Sequence, residues 1–284
     1  MYLLNILELI RVKDWLKNII LILPLIFSGK LNDYTSYYNI LLGILLFCNA
    51  SSIVYVINDI IDLNSDKRHP NKRKFKPLAN NCLSLNTARI CLVILLLSLI
   101  LLLFLFGHLF YHICFYLIIS SFYNFFIKKV AYLELIVLSI GYVVRVDAGS
   151  HIIDVKSSVL IVLSTFLLAL FFISLKRLSE LNYKMKYPSN LIDRITLNYY
   201  SISKLKYLSY SSAVLLIFNL TIFIIIRNLN FIFIFPLIIY FLYKYLKIAS
   251  NSILGEDPLN LIFENKRLIV IVLICFFYSI IIYY

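Results

Sequence analysis

Three carboxylates, Asp59, Asp62 and Asp66, follow an apolar run at spacings of three and four residues. Read as one helix, the i, i+3, i+7 pattern sets them on a single face with Asn58 at its edge. Like charges this close repel unless a cation lies between them. Hard oxygen ligands in sparse number suit Mg²⁺, which keeps several waters and is completed by substrate phosphate. The expected metal ligands are therefore Asn58, Asp59, Asp62 and Asp66. Six cations come next, Lys67, Arg68, Lys72, Arg73, Lys74 and Lys76, a run fit to hold phosphate oxygens. A solvated charged loop between two helices is the plain alternative. Acids on one helical face joined directly to a dense cationic run favour the mouth of an intramembrane active site.

The elements that must carry this segment are apolar helices. The chain is 284 residues long and 62% hydrophobic, with a mean hydropathy of +0.92. Its apolar runs repeatedly reach the roughly 20 residues needed to cross a bilayer. Spans are expected at 18–28, 38–60, 86–106, 109–127, 132–150, 157–178, 207–226, 231–248 and 268–284. The expected fold is thus an all-α integral membrane protein, a bundle of about nine transmembrane helices around a cytoplasm-facing polar cavity. One domain should cover 1–284, with 1–17 as an interfacial lead-in helix and 61–84 and 179–206 as cytoplasmic active-site loops. Neither polar interval is long or apolar enough to hold a core of its own.

A net charge of +13 resembles a nucleic-acid signature until the charges are placed. With the N-terminus inside, all but Lys30, Arg145, Lys156 and Arg227 of the 27 lysines and arginines fall on cytoplasmic loops. That asymmetry is the positive-inside pattern. It predicts an external C-terminus in a prokaryotic plasma membrane and no nucleic-acid partner. The five cysteines have no paired spacing and read as small core or lipid-facing residues. The first 17 residues carry Glu8, Arg11, Lys13 and Asp14, which is wrong for a signal peptide. No GxGxxG, P-loop, HExxH or GxSxG pattern is present.

The Asn58-Asp59-x-x-Asp62-x-x-x-Asp66 pattern at the end of the second span resembles the first acidic motif of the UbiA-type prenyltransferase superfamily. Further stretches are similar to its decaprenyl-phosphate phosphoribosyltransferase branch. They are 11–18 (RVKDWLKN), Arg68-His69-Pro70-Asn71-Lys72-Arg73 with Lys76-Pro77, Tyr123 with Lys128, Gly141 to Arg145 with Gly149, and 176–181 (KRLSEL). Asp257-Pro258 fits more loosely. The resemblance covers most of the chain. It implies transfer of 5-phosphoribose from phosphoribosyl pyrophosphate to a polyprenyl phosphate lipid, with Mg²⁺ and release of pyrophosphate. The site it implies has Asp59, Asp62 and Asp66 as catalytic residues. Lys17, Asn58, Arg68, Lys72, Arg73, Tyr123, Lys128, Glu134, Lys176 and Arg177 would bind substrate. Whether the chain forms a homo-oligomer stays open.

The residues are compatible with that chemistry. A phosphoribosyl donor has a pyrophosphate at C1 and a separate 5-phosphate, so it needs a metal clamp at one end and a cationic cradle at the other. The acceptor phosphate is already anionic and can attack without a strong general base. His69 reads as a structural hydrogen-bonding residue ahead of Pro70. Superfamily members that use prenyl diphosphates carry a second multi-carboxylate motif after the fourth span, where this chain supplies only Glu134, a Glu where the phosphoribosyl branch has Asp. Arg145 is expected in a structural ion pair with Asp147 or Asp154 at the outer end of the fifth span, and Lys176–Glu180 could be a helix-end pair. Two other readings remain. One is prenyl transfer to an aromatic or tetrapyrrole acceptor; the other is a non-enzymatic lipid-binding or transport protein.

Overall fold

The computed structural model describes residues 2–68, 72–186, 195–227, 229–251 and 257–283, the side chains of 72, 74, 195, 251 and 283 excepted. Among the described residues there are helices and turns but no strands. Six helical segments are long and apolar enough to cross a membrane: Tyr34–Ile61 (α3), Leu85–Leu105 (α6), Gly107–Lys129 (with α7, Phe110–Phe125, at its centre), Leu133–Ile152 (α8), Val159–Lys186 (α9) and Ile202–Arg227 (α10). Pro258–Glu264 (α12) and Lys266–Tyr283 (α13), bent by 98° at Asn265, make a seventh if taken as one span. The other two expected spans fall on shorter elements. Phe235–Asn251 (α11) has 17 residues, and 12–27 is a 3₁₀ helix, Val12–Ile22, running into Leu23–Phe27 (α2).

Burial separates the centre of the bundle from its edge. In the most apolar stretches of α3 and α8, 56% of residues are buried, against 11% in α6, whose Ile100 and Phe104 lie open on the perimeter. An all-round apolar helix with little protein contact is one that faces lipid. The interior packs in two large groups. One joins α3 and α7 to the N-terminal helices through Leu25, Leu46, Phe47 and Ile113. The other joins α9, α10 and α11 through Phe171, Leu175, Leu205 and Tyr245. α8 contributes Leu135 to the second and Val144 and Ala148 to the first, so it is the shared wall.

The lead-in differs from the single interfacial helix expected. Tyr2–Leu9 (α1) ends, Arg11 takes a left-handed conformation (φ 53°, ψ 54°), and the chain continues as 3₁₀. In a 3₁₀ helix residues three apart eclipse one another, so Trp15, Asn18 and Leu21 form one column and Arg11, Asp14 and Lys17 another. Trp15 donates to Ser52 of α3 at 2.9 Å, and Asn18 and Leu21 are fully buried. Leu21 meets Gly149 of α8 so closely that a Cβ there would lie 2.3 Å from the Leu21 carbonyl oxygen. A helix-helix contact this tight requires glycine.

Helical structure reaches into both expected loop intervals. α9 continues eight residues past Leu178 to Lys186, because Leu178 and Leu181 stay buried and Arg177 bonds Glu180 one turn on. The 61–84 interval is folded into two short helices, Leu63–Arg68 (α4) and Lys72–Phe75 (α5), before Ser84 caps α6 by accepting from the Thr87 amide.

Candidate active site

The three carboxylates do not share one continuous helix face. α3 stops at Ile61, Asp62 leaves helical geometry (φ −86°, ψ 4°), and Asp66 rides on α4. Long-range cations, not helical periodicity, hold them together. The Lys76 ammonium donates to Asp59 Oδ1 at 2.7 Å and to Asp66 Oδ2 at 2.6 Å, bridging the two. Arg11 donates to Asp59 Oδ1 at 2.8 Å and lies 4.7 Å from the Tyr55 ring. Lys128, in the 3₁₀ turn Ile127–Lys129, donates to Asp62 Oδ1 at 2.7 Å. Asp59 and Asp66 are buried and Asp62 is half-buried. The requirement that a cation lie between these acids is met by lysine and arginine, and among the described residues no three His, Cys, Asp or Glu side chains group tightly enough to hold a metal.

Arg11 deserves its backbone. A left-handed φ is uncommon outside glycine and persists where the surroundings over-determine it. Here Ser52 Oγ donates to the Ile10 carbonyl at 2.8 Å just before the kink, and the Asp59 contact fixes the side chain just after it. Burial draws the guanidinium pKa down, but the charge of Asp59 and its neighbours more than reverses this and the net direction is upward.

A second polar cluster is built around Glu134, which is fully buried at the first turn of α8. Arg177 donates through Nε to Glu134 Oε1 at 2.8 Å and through Nη1 to both oxygens of Glu180 at 2.7 and 2.8 Å. Tyr200 donates to Glu134 Oε1 at 2.8 Å and Tyr123 to Oε2 at 3.2 Å. Tyr132 precedes Glu134 with φ 64°, a positive value that turns the chain sharply into α8. Burial first, and then the Glu134 carboxylate, push the Tyr200 phenol above its ordinary range, so it stays a donor.

The expected site residues therefore divide. Asn58, Asp59, Asp62, Asp66 and Lys128 belong to the first cluster or adjoin it, while Tyr123, Glu134 and Arg177 form the second. Tyr123, expected beside Lys128, donates to Glu134. Lys17 bonds Asp14 instead of the carboxylates, because both stand in one 3₁₀ column. Arg68 is exposed and donates to the Asn64 carbonyl of its own helix, and Arg73 is exposed on α5. Lys176 is half-buried beside Arg177, and Glu180 accepts from Arg177. The Lys72 side chain and His69 lie outside the described residues.

Arg145 corrects its expectation most sharply. Neither Asp147 nor Asp154 reaches it; Asp147 accepts from Ser157 and pairs with His112 at 3.1 Å. Arg145 instead donates to Asn18 Oδ1 at 2.7 Å, the Gly141 carbonyl at 2.6 Å, Tyr116 at 3.1 Å and Ser51 at 3.3 Å. Asp147 is one residue pair around the helix and cannot face the same way, since i and i+2 do not share a face.

Lys76 and Arg11 were legible only as members of a basic run and a motif. Asn18 was legible only as the end of the 11–18 motif and Tyr200 only as part of a polar interval, while Ser51 and Tyr116 are neutral polar residues within apolar stretches and gave no sequence signal of their own.

Residues 22–256 match the UbiA prenyltransferase family. Among curated proteins, Nodulation protein NoeC of Azorhizobium caulinodans is 31% identical over 175 residues, 61% of this chain and 56% of that protein. Decaprenyl-phosphate phosphoribosyltransferase of Mycobacterium tuberculosis is 28% identical over 183 residues, 63% of this chain and 60% of that one. The matched region spans less than two thirds of either relative. The structure of a UbiA homolog from Archaeoglobus fulgidus bound to GPP and Mg²⁺ superposes with a TM-score of 0.72 at 19% identity, covering 97% of this chain and 99% of that one. The same homolog is also known bound to Cd²⁺, at a TM-score of 0.69 and 20% identity over 97% and 99% of the two chains.

Proposed function

The chain belongs to the UbiA prenyltransferase family of integral membrane proteins, and from that premise we propose that it is a polyprenyl-phosphate phosphoribosyltransferase. Its donor is phosphoribosyl pyrophosphate and its acceptor a polyprenyl phosphate. The reading takes the chain as one UbiA-like bundle of nine spans, with the carboxylates at a cytoplasmic mouth and the C-terminus outside. One observation carries it. The position that would supply a second acidic motif holds a single buried carboxylate, Glu134, already engaged by Arg177, Tyr200 and Tyr123. That leaves one acid cluster to serve a pyrophosphate and several cations to serve other phosphates. The named similarity to decaprenyl-phosphate phosphoribosyltransferases supports the same choice.

Mg²⁺ fits the residues present, because Asp59 and Asp66 already converge on one cation, the Lys76 ammonium, through hard oxygen donors. Of the expected ligands Asn58, Asp59, Asp62 and Asp66, the converging pair Asp59 and Asp66 would hold the ion, with substrate phosphate completing its coordination. When bound it neutralises charge on the departing pyrophosphate. The chain's own residues do the rest. A lipid-phosphate oxygen forms a bond to C1 of the ribose as the C1–pyrophosphate bond breaks, and the bonding pair leaves with pyrophosphate. No proton has to move, which agrees with a first cluster made of acids and permanent cations. Lys128 and Arg11 orient the carboxylates and counter the phosphates, and the surrounding apolar helices exclude the water that would hydrolyse the donor.

The test is pyrophosphate release by purified protein in Mg²⁺. Release that requires both phosphoribosyl pyrophosphate and a polyprenyl phosphate supports the reading. Release from prenyl diphosphates with an aromatic acceptor overturns it in favour of prenyl transfer.

A further inference from the structure

A cavity of about 570 Å³ opens between the last turns of α9 and the start of α10, outside both acid clusters. Its lining has two kinds of chemistry. Leu181 and Met185 of α9 and Ile202 of α10 make an apolar side. Ser201, Ser203 and Lys206 make a polar one. Tyr200 also lines it and is the link to the described site, since its hydroxyl donates to Glu134 at 2.8 Å.

Charge and depth say what fits there. Among the described residues no carboxylate lines the cavity, and the Lys206 ammonium has no partner. Lys186 and Lys204, on the same two helix ends, are exposed as well. The Ser201 and Ser203 hydroxyls lie 2.8 Å apart, so one hydrogen joins them and the other is left to give. A cation and a hydroxyl donor on one side complement an anion, and the apolar side complements hydrocarbon. Tyr199, Tyr207 and Tyr210 are exposed beside the cavity, and Val214, Leu215 and Phe218 are exposed further along α10. Exposed tyrosines giving way to exposed apolar side chains mark the membrane–water boundary. The cavity therefore opens at headgroup depth.

We propose that this cavity binds one anionic phospholipid, with the phosphodiester on Lys206, Ser201 and Ser203 and the start of an acyl chain along Leu181, Met185 and Ile202. The lipid is not a substrate, and its site stands whatever group the enzyme transfers. In the orientation proposed above, the cavity faces the cytoplasmic leaflet, whose surface is negatively charged. Its effect passes through the segment before α10. There the Ser201 amide donates to the Tyr132 hydroxyl at 3.3 Å, the Tyr132 and Tyr200 rings pack edge to face at 5.0 Å, and Thr196 and Tyr200 both donate to Glu134. A lipid seated on Ser201 and Lys206 and against α9 ties this segment down. It thereby braces the Glu134 cluster.

The full chain, delipidated in neutral detergent, is titrated with phosphatidylglycerol and separately with phosphatidylcholine, and bound lipid is counted by native mass spectrometry. Wild type retains one phosphatidylglycerol about tenfold more tightly than phosphatidylcholine and melts at a higher temperature with it bound. Lys206→Gln weakens phosphatidylglycerol binding by about fivefold, the size of one lost lysine–lipid attraction, and loses most of the rise in Tm. Lys206→Arg restores both. Lys266→Gln, at an exposed cation on α13, binds like wild type. The site is overturned if both lipids bind equally, if Lys206→Gln binds phosphatidylglycerol like wild type, or if Lys266→Gln loses as much, since the attraction would then be one of general surface charge. Displacement by equimolar farnesyl phosphate would give the cavity to the lipid acceptor, and displacement by millimolar inorganic phosphate to a free anion. Either result overturns a phospholipid occupant.

Discussion

Lys128 donates to Asp62 at 2.7 Å across 66 residues of sequence, joining the turn before α8 to the end of α3. The contact places a cation from a different segment directly on the acid cluster, where donor phosphates would arrive. Lys128→Ala should raise the apparent KM for phosphoribosyl pyrophosphate with a smaller change in kcat. A lost charge-assisted contact present in ground and transition state is worth about 1.5–3 kcal/mol and acts mainly on binding. An unchanged donor KM with lost binding of lipid phosphate would assign Lys128 to the acceptor instead.

Asp59 receives both Arg11 and Lys76 on one oxygen, Oδ1. Asp59→Asn removes the charge that holds two cations and one expected metal ligand, so turnover should fall to background while the chain still inserts. Excess chelator should abolish wild-type turnover in the same assay. Full wild-type rates in chelator would contradict a metal at these acids.

Glu134 and Arg177 form a buried pair, and breaking such a pair from one side leaves an uncompensated charge worth about 3–5 kcal/mol. Arg177→Ala should therefore lower the detergent-solubilised melting temperature strongly. Tyr200→Phe, which removes one of several donors to Glu134, should cost about 1 kcal/mol. Equal melting of Arg177→Ala and wild type would show that the cluster is not structural.

Gly149 and Gly43 both admit no Cβ, but for different reasons. At Gly149 the added atom meets the Leu21 backbone at 2.3 Å, and at Gly43 it meets Ile152 Cδ1, a side-chain tip, at 2.4 Å. Gly149→Ala should push the 3₁₀ helix off α8, separating Asn18 from Arg145, whereas Gly43→Ala should be absorbed by rotation of Ile152. Folded yield and thermal stability of the two variants should differ clearly in that order; similar losses would contradict the backbone contact.

The apolar helices and the acid motif were legible because hydropathy and charge are local in sequence. The family resemblance was legible for the same reason, being carried by short motifs. The site's actual assembly was not. A 3.6-residue period placed the three acids on one helix, yet the helix ends at Ile61 and Lys76 supplies the bridge. The amphipathic lead-in read as an α-helix, and only the 3₁₀ period explains why Lys17 faces Asp14 while Asn18 faces Arg145. The Arg145 partners are neutral residues on three other segments, and nothing in their types marks them out from packing residues. Acids nearby in sequence were the natural guess for its partner, and they point to a different face.

The most direct measurement is a transfer assay with ribose-labelled phosphoribosyl pyrophosphate, a polyprenyl phosphate and Mg²⁺. The purified chain should move the label into an organic-extractable lipid, with none moved by Asp59→Asn or in chelator. Label that stays in the aqueous phase while prenyl diphosphate is consumed with an aromatic acceptor would contradict the phosphoribosyl assignment.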